Sequence, residues 1–288
     1  NVLKLVVIDI HYLNAYETMN NTYNPYEETY LDKILEDRYI YYTIKPTEQL
    51  FKQISGLLYF LRLSENRKMT LVLPRFEIKG KKISYWNLFD NQLVKDNFKV
   101  LDFEEFHSQS KKNVSLNQQT EAWIDGFWQI PYNSEDYMKY RKYVKFQDRY
   151  YKDVDNYLKN KEPFISVHWR QSDFLKIRPQ VLMSKEELVK DTLKKLKKYN
   201  VNKVYISTDS KDVGVLEYLH SNLPTFKYKS NIPNITDVEF AILESIMCSK
   251  GKFFTGSDTS LFSIYILGER RMLNIDDKYS EIKKVKNE

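Results

Sequence analysis

From Phe164 past Ser260 the chain alternates short apolar runs with stretches of helical periodicity, and no other feature narrows the possible folds as far. The runs FISVHW, KVYIST, TFKYK and KFFTG are rich in the β-branched and aromatic residues that strands favour. Between them lie SKEELVKDTLKKLKKY, a helical stretch over residues 211–220 and another opened by Thr236, and a last helix is expected from about Ser260. Ser184 with Glu187, and Thr236 with Glu239, have capping-box spacing, in which hydroxyl and carboxylate satisfy orphan backbone N–H groups at a helix start. Strands separated by helices of about a dozen residues imply parallel βαβ winding, because a parallel pair needs a crossover of that length.

The first half also reads as mixed α/β. VLKLVVIDI, RYIYYTI and TLVLP (Thr70–Pro74) are strand-like, and Glu48 to Leu63 carries Leu50, Ile54, Leu57, Leu58 and Leu61 at helical spacing. Residues 108–120 are polar and aperiodic, as a surface loop is. Ser134 to Lys159 sets Tyr137, Tyr140, Val144, Tyr151, Val154 and Leu158 on one face of a single long helix, with NKEP after it as a linker. The fold class is therefore α/β, with two Rossmann-like domains, residues 1–160 and 161–288, meeting at a cleft.

A chain of 288 residues, 42% apolar and 29% charged, can bury the core such a fold needs. The net charge of +6 suits an anionic ligand, but the lysines are spread along the chain and no nucleic-acid partner is expected. Nothing approaches the run of about 18 apolar residues that a transmembrane helix requires. The single cysteine, Cys248, excludes an intrachain disulfide and a cysteine-based zinc site. Asn20, Asn113 and Asn234 each open a triplet of the N-glycosylation pattern, so composition leaves the compartment open.

The strand FISVHW ends in three polar groups, His168, Arg170 and Asp173. In parallel α/β sheets, ligands bind beyond the carboxyl ends of the strands, where loops open and helix N-termini point. His168 and Arg170, two apart on an extended chain, project to one side. Taken alone, they read better as a strand-end ion pair of Arg170 with Asp173 than as a ligand site. FFTGSDTSLFS adds a second anion site, running from an apolar strand through Gly256 and several hydroxyls into a helix whose first N–H groups, near Ser260 to Phe262, converge. Together the two would hold a diphosphate. Neither G-x-G-x-x-G nor G-x-x-x-x-G-K-[ST] occurs, so the chain has no dinucleotide fingerprint and no P-loop.

Other constellations carry less. Asp153-Val-Asp155 has the D-x-D spacing of a metal–nucleotide site, but on a helix residues i and i+2 do not face each other, and a solvated face is the simpler reading. His11, His107 and His220 are scattered and form no metal motif, and neither Ser263 nor Cys248 has a partner visible in the sequence.

With these residues in hand, the chain resembles the GDP-fucose protein O-fucosyltransferases. HWRQSDF matches the family's H-x-R-x-x-D-F, VYISTDS its strand ending in Thr-Asp, and FFTGSDTSLFSIYILGERR its phosphate-binding strand and helix with a closing Glu-Arg. RYIYYTIKPTEQLFKQ is similar to the opening strand and loop of the branch that modifies thrombospondin type 1 repeats, and LVLP and WNLFD follow in the family's order.

The resemblance implies a GT-B enzyme, two Rossmann-like domains facing a central cleft, that inverts the anomeric centre with no metal and no cofactor beyond the donor, GDP-fucose. It implies a small folded acceptor domain as partner, a monomer, and the endoplasmic reticulum lumen, with the cytoplasm as the alternative compartment. Carried over residue by residue, Arg170 would hold the β-phosphate and the departing oxygen, His168 and Asp173 would support the nucleotide, and Ser260, Leu261 and Phe262 would form the phosphate turn. Glu244 would accept from the guanine edge and Glu48 would be the general base. The chain departs from the family at Gln49, Leu50 and Phe51, where Gly, Phe and Asn are usual, and at Leu261, which replaces a hydroxyl residue. Transfer to a glycan or an EGF-type domain, or a catalytically silent nucleotide- or peptide-binding relative, are the alternatives.

Overall fold

The computed structural model describes residues 39–40, 49–110, 130–172, 174–177, 179 and 182–283. The expected strand at VLKLVVIDI, most of RYIYYTI, residues 111–120, and Asn20, Asn113, Glu48 and Asp173 lie outside the described residues. The chain divides into two compact units, Asn1–Gln147 and Asp148–Glu288.

In the first unit, β1 (Tyr39–Ile40), α1 (Leu50–Asn66), β2 (Thr70–Val72), the hairpin strands β3 (Phe76–Ile78) and β4 (Lys81–Ile83), the helices α2 (Tyr85–Leu88) and α3 (Asn91–Asn97), β5 (Val100–Leu101), α4 (Phe103–Ser110) and α5 (Glu135–Arg141) follow in order. Strands β1, β2 and β5 form a parallel sheet in that order. Helix α1 is the crossover between β1 and β2, and Ile54, Leu57, Leu58 and Leu61 are buried along it, as their spacing predicts. Helix α4 runs through Ser108–Ser110, so the first three residues of the expected loop are helical instead.

The second unit holds α6 (Asp148–Leu158), β6 (Ile165–Trp169), α7 (Phe174–Ile177), α8 (Lys185–Tyr199), β7 (Val204–Thr208), α9 (Val213–Asn222), α10 (Asp237–Ser249), β8 (Phe253–Ser257), α11 (Leu261–Met272) and β9 (Ser280–Lys283). All its ladders are parallel, in the order β7-β6-β8-β9. Both capping boxes form, at Ser184/Glu187 and Thr236/Glu239. TFKYK is not a strand: only Thr225 bridges to Val204, and Phe226 and Tyr228 pack their rings on Tyr157, Phe164 and Tyr205 instead. Strand β9, SEIK, is too polar to be read from composition. It pairs at the sheet edge, where Glu281 and Lys283 join Asp191 and Lys195 in a charge network.

The single long helix expected from Ser134 to Lys159 is instead two helices, α5 and α6. After Arg141 the chain turns and extends: Lys145 C=O accepts from Asp90 N–H, Gln147 N–H donates to Leu88 C=O, and Phe146 stacks on Phe89 at 4.9 Å. Buried Arg141 fastens the turn by donating to Val144 C=O at 2.6 Å. Periodicity misses the break because Val144 and Tyr151 stand seven apart, close to two helical turns, so the apolar stripe keeps its phase across the interruption.

Strand alternation sorts the second sheet into two chemically distinct faces. Ile165, Val167, Trp169 and Val204 pack with Leu188, Val189, Leu196 and Leu219 of α8 and α9 in one apolar core, each contributing about 1.5–3 kcal/mol by burial. The opposite face of β6 carries Ser166, His168 and then Arg170, and that of β7 carries Tyr205, Ser207 and then Asp209. A fully buried strand tolerates such polar positions only where each group is bonded, and Ser166 Oγ accordingly donates to Cys248 C=O at the end of α10, at 2.6 Å.

Candidate functional site

The polar face ends at the carboxyl edge of the sheet. Arg170 follows β6, and its Nη1 meets Asp209 Oδ2 at 2.7 Å, just beyond β7. Asp209 also accepts from Gln171 N–H at 2.7 Å and from the Ser172 hydroxyl. The carboxylate thereby fixes both the guanidinium and the start of the loop that carries it. The sequence offered Asp173 as the partner of Arg170, but Asp173 lies outside the described residues, and Asp209 was visible only as the end of a strand motif.

His168 is buried, with its ring 4.5 Å from that of Phe262 and Nδ1 2.7 Å from Ser263 Oγ. Ser263 Oγ also accepts from Ser257 N–H at 3.0 Å, so one hydroxyl joins the imidazole to the turn that follows β8. Burial pushes the imidazole pKa down to about 3; Asp209 opposes the shift and Arg170 adds to it. His168 is therefore a neutral, oriented group at any working pH, and Ser263, which the sequence left without a partner, is its hydrogen-bond mate.

The second anion element stands beside this pair. Strand β8 closes on α11 through Gly256, where a Cβ would lie 2.8 Å from Ser263 Cβ and 2.6 Å from Ile282 Cδ1, so only glycine permits the approach. The connecting turn holds Thr259 at φ +56°, a strained conformation for a β-branched residue. Ser260 is the N-cap of α11, is buried, and makes no side-chain cap bond; Leu261 and Phe262, each half-buried, open the helix. The first N–H groups of an α-helix point out along its axis with the positive end of the dipole. Here they open at the sheet edge that carries Arg170, because β6 and β8 are adjacent and parallel.

Glu244, on α10, accepts from Tyr205 Oη at 3.3 Å. Burial raises its pKa to about 7, with Ser207 and Tyr205 lowering it by hydrogen bonding and Asp209 raising it. It is a desolvated carboxylate beneath the same sheet end, poised between its two protonation states. Cys248, one turn on, is fully buried and its thiol is pushed well up, so it is no nucleophile.

The Asp153-Val-Asp155 pair is occupied by structural bonds. Asp153 is buried and accepts from Tyr228 Oη and from Asn231 N–H at 3.1 Å, while Asp155 pairs with Lys250 at 2.9 Å. A solvated face describes Asp155 but not Asp153. Among the described residues, no three of His, Cys, Asp and Glu converge as a metal site requires, and no helix is long and apolar enough to cross a membrane.

Comparison with known proteins gives this geometry a family. The crystal structure of POFUT1 in complex with GDP-fucose aligns with a TM-score of 0.63 over 86% of this chain and 98% of that one, at 15% identity. The apo form of POFUT1 gives 0.63 over 85% and 97%, at 14% identity. The α/β architecture of GT-B type is thus shared. In sequence, GDP-fucose protein O-fucosyltransferase 2 of Caenorhabditis elegans is 28% identical over 145 residues, which is 46% of this chain and 34% of the relative. The human protein of the same name is 29% identical over 119 residues, 40% of this chain and 28% of the relative. The chain spans about a third of the length of the curated relatives it matches. A family model described as GDP-fucose protein O-fucosyltransferase matches residues 118–273, more than half of the chain. The chain therefore belongs to the GDP-fucose protein O-fucosyltransferase family.

Proposed function

We propose that this protein transfers fucose from GDP-fucose to a Ser or Thr hydroxyl of a small folded protein domain, with a thrombospondin-type repeat as the favoured acceptor. The observation that carries the reading is the pairing of an oriented guanidinium, Arg170 held by Asp209, with the N-terminus of α11 at one sheet edge. GDP departs with growing negative charge, and a fixed guanidinium and helix N–H groups stabilise that charge without a cation. In this account Arg170 takes the β-phosphate and leaving oxygen, Ser260, Leu261 and Phe262 the second phosphate, and ionised Glu244 the guanine edge. Neutral His168 adds no charge and supports the nucleotide, with Asp173 beside it in sequence. Glu48, by resemblance, takes the acceptor proton, and a single in-line displacement inverts the anomeric centre.

The named relatives are protein O-fucosyltransferases and the aligned POFUT1 structure holds GDP-fucose, which supports the donor and the reaction class. A catalytically silent relative is the second reading. One observation favours it: Leu50 and Phe51, at positions where the family usually carries nucleotide-contacting residues, are buried in the first turns of α1. GDP-fucose hydrolysis and transfer, assayed in parallel on thrombospondin-type and EGF-type domains, separate these readings. Transfer to the first supports the proposal; GDP binding with no turnover on either domain supports the silent relative.

A further inference from the structure

Strand β6 leaves its neighbour β8 before it leaves β7. The β6–β7 register runs to Trp169↔Thr208, whereas the β6–β8 register stops at Val167↔Thr255. Two further residues in that register would set Ser257 opposite Trp169. In a parallel ladder, the N–H and C=O of Ser257 would then bond to the carbonyl of residue 168 and the N–H of residue 170. The register stops short of that pair. The Ser257 hydroxyl fills both places, donating to His168 C=O at 2.9 Å and accepting from Arg170 N–H at 2.8 Å. The released Ser257 N–H turns away and donates to Ser263 Oγ in the first turn of α11, at 3.0 Å.

We infer that Ser257 is a positioning residue for Arg170. Its side chain stands in for the sheet ladder, so that β8 can bend into the anion-binding turn while the backbone of Arg170 stays tied to that turn. Two anion-binding elements on different parts of the chain, the guanidinium and the α11 N-terminus, are thereby held at one spacing. Such a spacing is what recognition of two linked phosphates demands, because misplacement by about 1 Å costs on the order of 100-fold in rate. The inference deepens the GDP-fucose reading and rests on it for the identity of the ligand.

The experiment compares wild type, Ser257→Ala, Ser257→Thr, Arg170→Ala and the Ser257→Ala/Arg170→Ala double variant. GDP affinity is measured by calorimetry and exchange of the Arg170 amide by NMR, with urea unfolding to establish that each variant is folded. Ser257→Ala should lose protection of the Arg170 amide and weaken GDP about tenfold, the effect of one lost, well-placed hydrogen bond. Ser257→Thr keeps the hydroxyl and should restore both. In the Arg170→Ala background the same change should cost little more, since Ser257 acts through that residue. An equal loss of GDP affinity in both backgrounds, or an Arg170 amide equally protected in Ser257→Ala, overturns the inference. If the wild-type chain binds no GDP, the nucleotide reading fails, and the amide exchange still decides whether Ser257 holds Arg170.

Discussion

Glu244 shows how a single residue's surroundings set its task. A carboxylate raised to about 7 by burial is half protonated near neutrality, yet guanine N1–H and N2–H₂ require an ionised acceptor. GDP should therefore bind more tightly as pH rises from 6 to 8, with proton release, and calorimetry in buffers of different ionisation enthalpy reads both. Glu244→Gln should abolish this pH dependence and weaken GDP more than UDP; equal losses for the two nucleotides would reduce Glu244 to a packing group. Stability runs the other way. With the folded pKa above the ordinary carboxylate value, the native state binds more protons between about pH 4.5 and 7, so the group's contribution is fullest below that range and is lost as pH rises through 7. Glu48 carries the complementary expectation. Proposed as the general base, it would act only in the transition state, so Glu48→Ala should lower transfer by about 100-fold or more while GDP affinity stays unchanged. Near-normal transfer by the folded variant would assign the base elsewhere.

At the scale of elements, the second unit is fastened by close packing and by one buried arginine. Gly256 lets β8 meet α11, and Gly256→Ala would drive a Cβ to 2.8 Å from Ser263 Cβ, an atom fixed to the helix backbone. The helix start must give way, and the variant should lose about 1–3 kcal/mol of stability together with GDP affinity, read by urea unfolding and calorimetry. Arg270, 1% exposed at the end of α11, donates to the carbonyls of Ser249, Gly251 and Tyr279 and to Ser280 Oγ, tying α10 and the approach to β9 to one side chain. Arg270→Ala leaves three carbonyls without this donor and should cost roughly 3 kcal/mol or more, since a buried unsatisfied acceptor costs about 1–3 kcal/mol. GDP binding at temperatures where the variant is folded should be kept. Most of these elements were legible because period, caps and β-branched runs agreed between Phe164 and Met272. The break between α5 and α6 was not, because a seven-residue gap preserves helical phase. Strand β9 was not either, because its polar residues are paired by distant ones. Within the site, His168, Arg170 and the α11 turn could be read as strand ends, whereas the partners Asp209, Ser257 and Ser263 depend on which strands become neighbours, and local sequence does not carry that.

For the whole molecule, a parallel sheet with an arginine at its carboxyl edge and a helix N-terminus beside it makes up the proposed diphosphate seat. That proposed division of labour makes a prediction about GDP-fucose binding that does not depend on the acceptor. In the proposed reaction Arg170 and the backbone N–H groups supply the positive charge beside the phosphates, and Arg170 supplies it in both ground and transition states. The most direct measurement is calorimetric titration of GDP and GDP-fucose into the folded chain in EDTA, alongside Arg170→Ala and Arg170→Lys. Binding should persist under chelation, fall at least tenfold in Arg170→Ala, and recover only in part in Arg170→Lys, because one ammonium cannot reproduce a planar two-donor fork. Binding that vanishes on chelation and returns with a divalent cation, or that is unchanged in folded Arg170→Ala, would contradict the account.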